Sequence, residues 1–245
     1  MSDIAERIAQ AQGRMAEAAR RSGRKPDAIT LVAVTKTHGA DVILEACDCG
    51  LRHFGENRAE EAIPKIQAAR PGLSSGVIWH MVGHVQSRKA RDVASWFNVV
   101  HSADSLKIMR RLSAACAEAN RTMPVLLEIN LSGEETKYGF DLSRWPGDEA
   151  QAAAFYDDVT AALAYPNITI VGLMTMPPFT EDPEKARPIF ARLRALREML
   201  AQRFPQAAWE HLSMGMSADY EVAIEEGATM VRLGTTLFGP RSESR

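Results

Sequence analysis

Short apolar runs alternate with helical stretches along almost the whole chain, and few folds accept that rhythm. The runs lie near residues 29–36, 52–55, 77–83, 98–102, 124–130, 168–175, 209–213 and 230–234. Between them, apolar residues recur at helical spacing. Asp104-Ser105 is placed to cap one such stretch, with Leu106, Met109 and Leu112 on a face. Asp182-Pro183 opens another, with proline at the first helical position, and its face runs Ile189, Leu193, Leu196, Leu200. Ser217 is placed to cap a third, which Gly227 stops. About eight strand–helix units in roughly 215 residues is the count of a (β/α)8 TIM barrel. A doubly wound sheet is the alternative, because closure leaves no mark in a sequence. The run at 230–234 is nearly the last element, which suits a strand that closes against the first. Residues 3–22 are rich in Ala, Arg, Glu and Gln, with a thin stripe of Ile4, Ile8 and Met15 ended at Gly23. They read as an extra N-terminal helix outside the repeat.

No stretch rich in Pro, Gly and Ser divides the chain. One domain is therefore expected over 1–245, with a helix and lead-in at 1–28 and a barrel at 29–240. The tail Ser242-Glu243-Ser244-Arg245 reads as frayed. Composition narrows the partners. With 29 basic and 31 acidic residues, the net charge of −2 speaks against nucleic acid or an anionic membrane as the main partner. No apolar run is long enough to span a bilayer. Cys47, Cys49 and Cys116 are too few and too irregular for a disulfide framework, and Cys47-Asp48-Cys49 lacks the spacing of a zinc or redox pair. The first residues are acidic and hold no signal core. A reducing cytoplasm is the expected setting, and a monomer the expected state.

Within this frame Lys36 is out of place. It follows Leu31-Val32-Ala33-Val34-Thr35 and precedes Thr37 and the loop residues His38-Gly39. In an alternating strand Val32, Val34 and Lys36 share a face, so the amine is aimed at what the valines are buried against. Burial disfavours the charged form of a lysine, and a neutral amine forms a Schiff base with a carbonyl. A lysine that merely ends the strand and reaches water is the plainer reading of this segment alone.

Other strand ends add weight, since barrels of this kind carry their active residues there. In Met230-Val231-Arg232-Leu233-Gly234-Thr235, Arg232 points into the barrel if Val231 and Leu233 face the helices. A buried arginine needs an acceptor or a ligand. Gly234 permits close backbone approach to an anion and Thr235 adds a hydroxyl. The preceding run ends in Ser213-Met214-Gly215, just before a helix start. Two adjacent strand ends thus look like phosphate cradles, and a phosphorylated aldehyde would satisfy Lys36, Arg232 and both loops together. Asn57, in Gly55-Glu56-Asn57-Arg58, is equally a ligand contact or plain loop chemistry. His80 and His84 lack the spacing of a helical metal motif, and His80 reads as a hydrogen-bonded structural histidine. Glu128 and Asn130 share a face and fit an internal polar layer. Met174 and Met176 read as core, and Lys137 as a solvated loop lysine.

These segments resemble the pyridoxal phosphate homeostasis proteins, relatives of the alanine racemase N-terminal barrel. The resemblance is carried by residues 31–37, Phe54-Gly55-Glu56-Asn57-Arg58, Trp79-His80-Met81-Val82-Gly83-His84-Val85-Gln86-Ser87-Arg88-Lys89, Leu212-Ser213-Met214-Gly215-Met216-Ser217 and residues 230–235. Leu127-Glu128-Ile129-Asn130 and Gly172-Leu173-Met174-Thr175-Met176-Pro177-Pro178 are similar too. Serine is usual in the family where this chain has Thr35. The resemblance implies a barrel that binds pyridoxal 5′-phosphate (PLP), with Lys36 as the internal aldimine lysine. It implies phosphate held by Ser213 and by Gly234 and Thr235, Arg232 near the pyridine nitrogen, and Asn57 as a further contact. An arginine there keeps the nitrogen unprotonated and the ring a poorer electron sink.

Three functions fit this far. A PLP carrier without catalysis would act in PLP homeostasis, with PLP-dependent apoenzymes as recipients and indirect effects on amino-acid metabolism. An amino-acid racemase would need a second base. The related racemases take theirs from a partner subunit and carry an extra C-terminal domain, for which a chain ending at Arg245 is expected to leave no room. Tyr138, Tyr156, Tyr165 and Tyr220 all fall within the barrel reading. A Schiff-base aldolase shares the lysine and the phosphate cradle but not the long motifs. The carrier is the expected function.

Overall fold

The computed structural model describes residues 2–134 and 136–240. Its strands are β1 (Thr30–Val34), β2 (His53–Glu56), β3 (Ile78–Met81), β4 (Val99–Ala103), β5 (Met123–Asn130), β6 (Phe140–Asp141), β7 (Ile168–Met174), β8 (His211–Ser213) and β9 (Met230–Leu233). All pairings are parallel. They run β4-β3-β2-β1-β9-β8-β7-β5, and a β4–β5 pairing closes the ring, so eight strands form a barrel. The closing pairing of first and last strand sets Val32 against Arg232 and Ala33 against Leu233. The two-residue β6 pairs with the end of β5. Every expected apolar run is a barrel strand, and the doubly wound alternative is excluded by closure.

Alternation along each strand sorts the side chains into two layers. Leu31, Ala33, Phe54, Trp79, Met81, Val231 and Leu233 join one large core between the barrel and its helices. Val32, Val34, Val82 and Met230 form a separate small cluster. It fills the interior, where there is little spare room: a methyl at Gly55 would come within 3.0 Å of Val32.

The helical ring is α2 (Ala40–Asp48), α3 (Ala59–Ala69), α4 (Ala90–Trp96), α5 (Leu106–Glu118), α6 (Glu149–Leu163), α7 (Arg187–Arg203) and α8 (Tyr220–Glu225), followed by the short α9 (Thr235–Phe238). The extra helix α1 (Asp3–Arg21) buries Ile8, Ala11, Met15, Ala18 and Ala19. It is tied to α8 by Arg14 and Arg21, which donate to Glu221 and Glu225 at 2.8 Å. Ser105 caps α5 as expected, accepting from the Ile108 N–H. Two expected caps differ. Asp182 caps a 3-10 turn, Pro183–Ala186, which leads into α7. Ser217 does not cap α8, because the Asp219 carboxylate takes the Met216 N–H at 2.7 Å and closes that turn instead. The deep face of α7 is Phe190, Leu193, Leu196 and Leu200, with Ile189 at its flank. The expected frayed tail, 242–245, lies outside the described residues. Among the described residues no helix is long and apolar enough to cross a membrane, and no cluster of metal-ligating side chains occurs.

Candidate functional site

A cavity of about 670 Å3 opens beyond the C-terminal ends of the strands, a volume in the range of small-molecule sites. Lys36, Asn57, Arg232, Gly234 and Thr235 all line it.

Lys36 stands two residues past β1, and its strand end is pinned from the outer layer. The Thr35 N–H donates to the Gly55 carbonyl at 3.0 Å. The Thr35 hydroxyl donates to Glu56 Oε1 at 2.6 Å, and Lys65 Nζ donates to that same oxygen at 2.6 Å and to the Thr35 carbonyl at 2.9 Å. Glu56 is only 1% exposed, and its Oε2 has no partner among the described residues. Directly after Lys36 the backbone of Thr37 turns left-handed, at φ 69°, a conformation that costs a non-glycine residue about 1 kcal/mol. An ion pair and a strained turn thus bracket the lysine.

Arg232 points inward, as the alternation of β9 requires, and is 4% exposed. Its Nη1 donates to Ser213 Oγ at 2.6 Å and its Nη2 to the Thr175 carbonyl at 3.1 Å. Burial pulls its pKa down to about 10, opposed by the carboxylates of Asp219 and Glu128. It therefore stays charged at neutral pH. Glu128 is also buried, and its pKa rises to about 7 through burial first and the charge of Asp104 second, with Arg232 opposing.

Ser213, expected to hold phosphate, does not line the cavity. The side chain is fully buried beneath Arg232, and its hydroxyl is shared with His101 Nδ1 at 2.8 Å. The serine that lines the cavity is Ser217, whose Oγ accepts from the Thr236 N–H at 3.3 Å and ties the two strand-end loops together. The reason is the path of the chain. β8 ends with Ser213 inside the barrel, and the backbone reaches the mouth only after Gly215, at φ 93°. A methyl at Gly215 would lie 2.6 Å from the Ala223 side chain, so that tight passage needs glycine.

Asn57 is fixed by close backbone packing. A methyl on Gly83 would sit 2.3 Å from the Asn57 carbonyl, and Ser102 Oγ holds the Gly83 carbonyl at 2.6 Å. Asn130 is a loop anchor: its Oδ1 accepts from the N–H groups of Ser132 and Gly133. Met174 is core, but Met176 lines the cavity. Lys137 is not a freely solvated loop lysine; it donates to the Met176 carbonyl at 3.2 Å and pairs with Glu134. His80 is buried and hydrogen-bonded on both ring nitrogens. Sequence reasoning passed over His53 and His101. A period of two applied to β2 and β4 as it was to β9 would have placed both inside the barrel.

The family model for the alanine racemase N-terminal domain matches residues 10–242. A pyridoxal phosphate homeostasis protein of Pseudomonas aeruginosa PAO1 is 42% identical over 241 residues, 98% of this chain and 97% of the relative. One from Escherichia coli K12 is 37% identical over the full length of both. Among solved structures, PipY of Synechococcus elongatus PCC7942 without PLP is 34% identical and superposes with a TM-score of 0.82, covering 97% of this chain and 100% of PipY. PipY with PLP bound gives 0.79. A diaminopimelate decarboxylase from M. jannaschii, 12% identical with a TM-score of 0.70, covers 95% of this chain and 60% of its own and shares the fold alone.

Proposed function

The chain belongs to the pyridoxal phosphate homeostasis proteins of the alanine racemase N-terminal domain family, and from that membership we propose that it binds PLP, holds it through Lys36 and releases it to apoenzymes. On this reading it acts in intracellular PLP homeostasis and only indirectly on amino-acid metabolism. It does so as a monomer, a single barrel unit in a reducing cytoplasm.

One observation carries the reading. A lysine amine, a buried arginine and two strand-end loops meet in one cavity. That donor set fits an aldehyde bearing a phosphate. When bound, PLP supplies an aldehyde carbon that an amine can hold covalently and a ring that withdraws electrons from it. Lys36 is the covalent anchor. Ser217, Thr235 and the Gly234 backbone hold the phosphate, with Asn57 as a further contact. Ser213 acts one step removed, by holding Arg232. Arg232 would be the group facing the ring nitrogen and, being charged, would keep that nitrogen from taking a proton. Carbanion chemistry would thereby be weakened.

His38 also lines the cavity and is the observation that favours the second reading, a racemase. Burial first, and the charge of Lys65 second, lower its pKa, so a neutral imidazole, weakened as a base but able to take a proton, lines the same cavity as Lys36. Among the described residues no tyrosine lines the cavity.

The test is to load the purified protein with PLP, reduce it with borohydride and map the modified peptide. The label is expected on Lys36; a colourless protein or a label elsewhere sinks the assignment. Exchange of the α-proton of amino acids in deuterated water separates the two readings, and sustained turnover would overturn the carrier.

A further inference from the structure

Behind Arg232 the barrel interior holds an unbroken file of hydrogen-bonded side chains, one from each of five strands. Arg232 Nη1 donates to Ser213 Oγ at 2.6 Å. Ser213 Oγ meets His101 Nδ1 at 2.8 Å, His101 Nε2 meets His80 Nδ1 at 2.8 Å, and His80 Nε2 meets His53 Nδ1 at 2.9 Å. Ser213 and His101 are fully buried and His80 is 1% exposed. His53, at the start of β2, lines a second cavity of about 370 Å3 beside Gln12, Met15, Leu31 and Arg52. The file therefore runs from the candidate cofactor cavity to the opposite mouth of the barrel.

Its direction follows from satisfying every buried donor. A guanidinium only donates, and a neutral imidazole donates from one nitrogen and accepts at the other. Ser213 Oγ accepts from Arg232 and has a second lone pair, but its own hydroxyl proton is buried and meets His101 Nδ1, so the order that satisfies every group has Ser213 donating to His101. His101 then carries its proton on Nε2 and donates to His80, and His80 donates likewise to His53. His53 is left with Nε2–H as the terminal donor. All three rings must be neutral for this order. Burial favours that: it holds His80 down at about 3 and His101 well below the usual histidine range, aided by the repulsion of neighbouring histidines.

We propose that His101, His80 and His53 are positioning residues that, through Ser213, fix the Arg232 guanidinium, so that a change at the far mouth is felt at the cofactor cavity. The consequence for PLP rests on the function proposed above; the file itself does not.

The test reads Arg232 directly, by side-chain nitrogen NMR of the protein without added ligand, assigned with Arg232→Lys. Separate, slowly rotating Nη signals are expected in the parent. His101→Leu and His53→Leu should each collapse them. His101→Asn and His53→Asn, whose amide oxygen can accept where Nδ1 accepted, should keep them. Unfolding midpoints establish that each protein is folded; if His101→Leu is not, His80→Leu breaks the next link of the file and should also collapse the signals. Unchanged Arg232 signals in folded His101→Leu or His80→Leu overturn the proposal, and unchanged signals in His53→Leu overturn its long-range half. A proton on His101 Nδ1 would overturn the direction. PLP titration adds a second readout, with about tenfold weaker binding expected for His101→Leu, equivalent to about 1.4 kcal/mol. Collapsed Arg232 signals with undiminished PLP affinity would uphold the file and count against Arg232 as a cofactor contact.

Discussion

At the scale of single residues, Lys36 owes its place to neighbours that never touch the cavity. Thr35, Glu56 and Lys65 form a buried cluster around the strand end that carries it. A carboxylate that is 1% exposed is tolerated because Lys65 and Thr35 both donate to it, and stripping one partner leaves a buried charge uncompensated. Lys65→Met is therefore expected to lower unfolding free energy by about 3 kcal/mol, read from urea midpoints. Lys65→Met with Glu56→Leu should recover most of that loss, since the charge needing a partner is gone. Lys36→Ala should behave oppositely. Lys36 is half-buried at the cavity wall, so the variant should melt close to the parent yet retain no PLP through denaturing gel filtration after borohydride treatment. A large loss of stability would mean that Lys36 is structural.

At the scale of elements, the site is assembled from strand ends whose spacing is set by backbone contact. β2 and β3 run side by side, with Glu56 opposite Met81, and just beyond them Gly83 lies against Asn57 with no room for a methyl. Gly83→Ala should push the Asn57 backbone away. Overpacking of this kind costs about 1–3 kcal/mol, visible in the unfolding midpoint. If Asn57 contacts the cofactor, PLP affinity should fall together with the midpoint. A lower midpoint with unchanged affinity would remove Asn57 from the site. The loop after β8 shows why position in a strand outranks residue type. Ser213 and Ser217 both belong to one short motif. The inward end of β8 makes the first a buried partner of Arg232, while the climb through Gly215 delivers the second to the mouth.

At the scale of the whole molecule, the interior is unusually rich in neutral histidine, and that sets the response to acid. The pKa of His80 falls from 6.5 to about 3, and those of His53, His101 and His211 fall as well, burial being the first cause in each. Groups with depressed folded values stabilise the fold above their unfolded value and lose that contribution as pH falls toward the folded one. Stability should thus drop as pH falls from about 6.5. Glu128 acts in the opposite sense. Its pKa is raised from 4.5 to about 7, so its contribution is full below 4.5 and is lost as pH rises through 7. Several histidines outweigh one carboxyl, and the net expectation is higher stability at pH 7 than at pH 5. Glu128→Gln should widen the difference between pH 5 and pH 8 by about 2 kcal/mol; a narrower difference would contradict the raised carboxyl. The sequence by itself determined the eight strands, the helix ahead of them, the inward turn of Arg232 and the strand-end place of Lys36, because side-chain periodicity and terminal residues are local properties. Only the tertiary structure decided that the ring closes and that Ser217 rather than Ser213 reaches the mouth. The same holds for Met176 at the cavity wall, for Lys137 bonding back to it, and for the joining of His53, His80 and His101 into one file. Each of these depends on residues distant in sequence meeting across the barrel, and such meetings are fixed by closure and strand register, which no local pattern records.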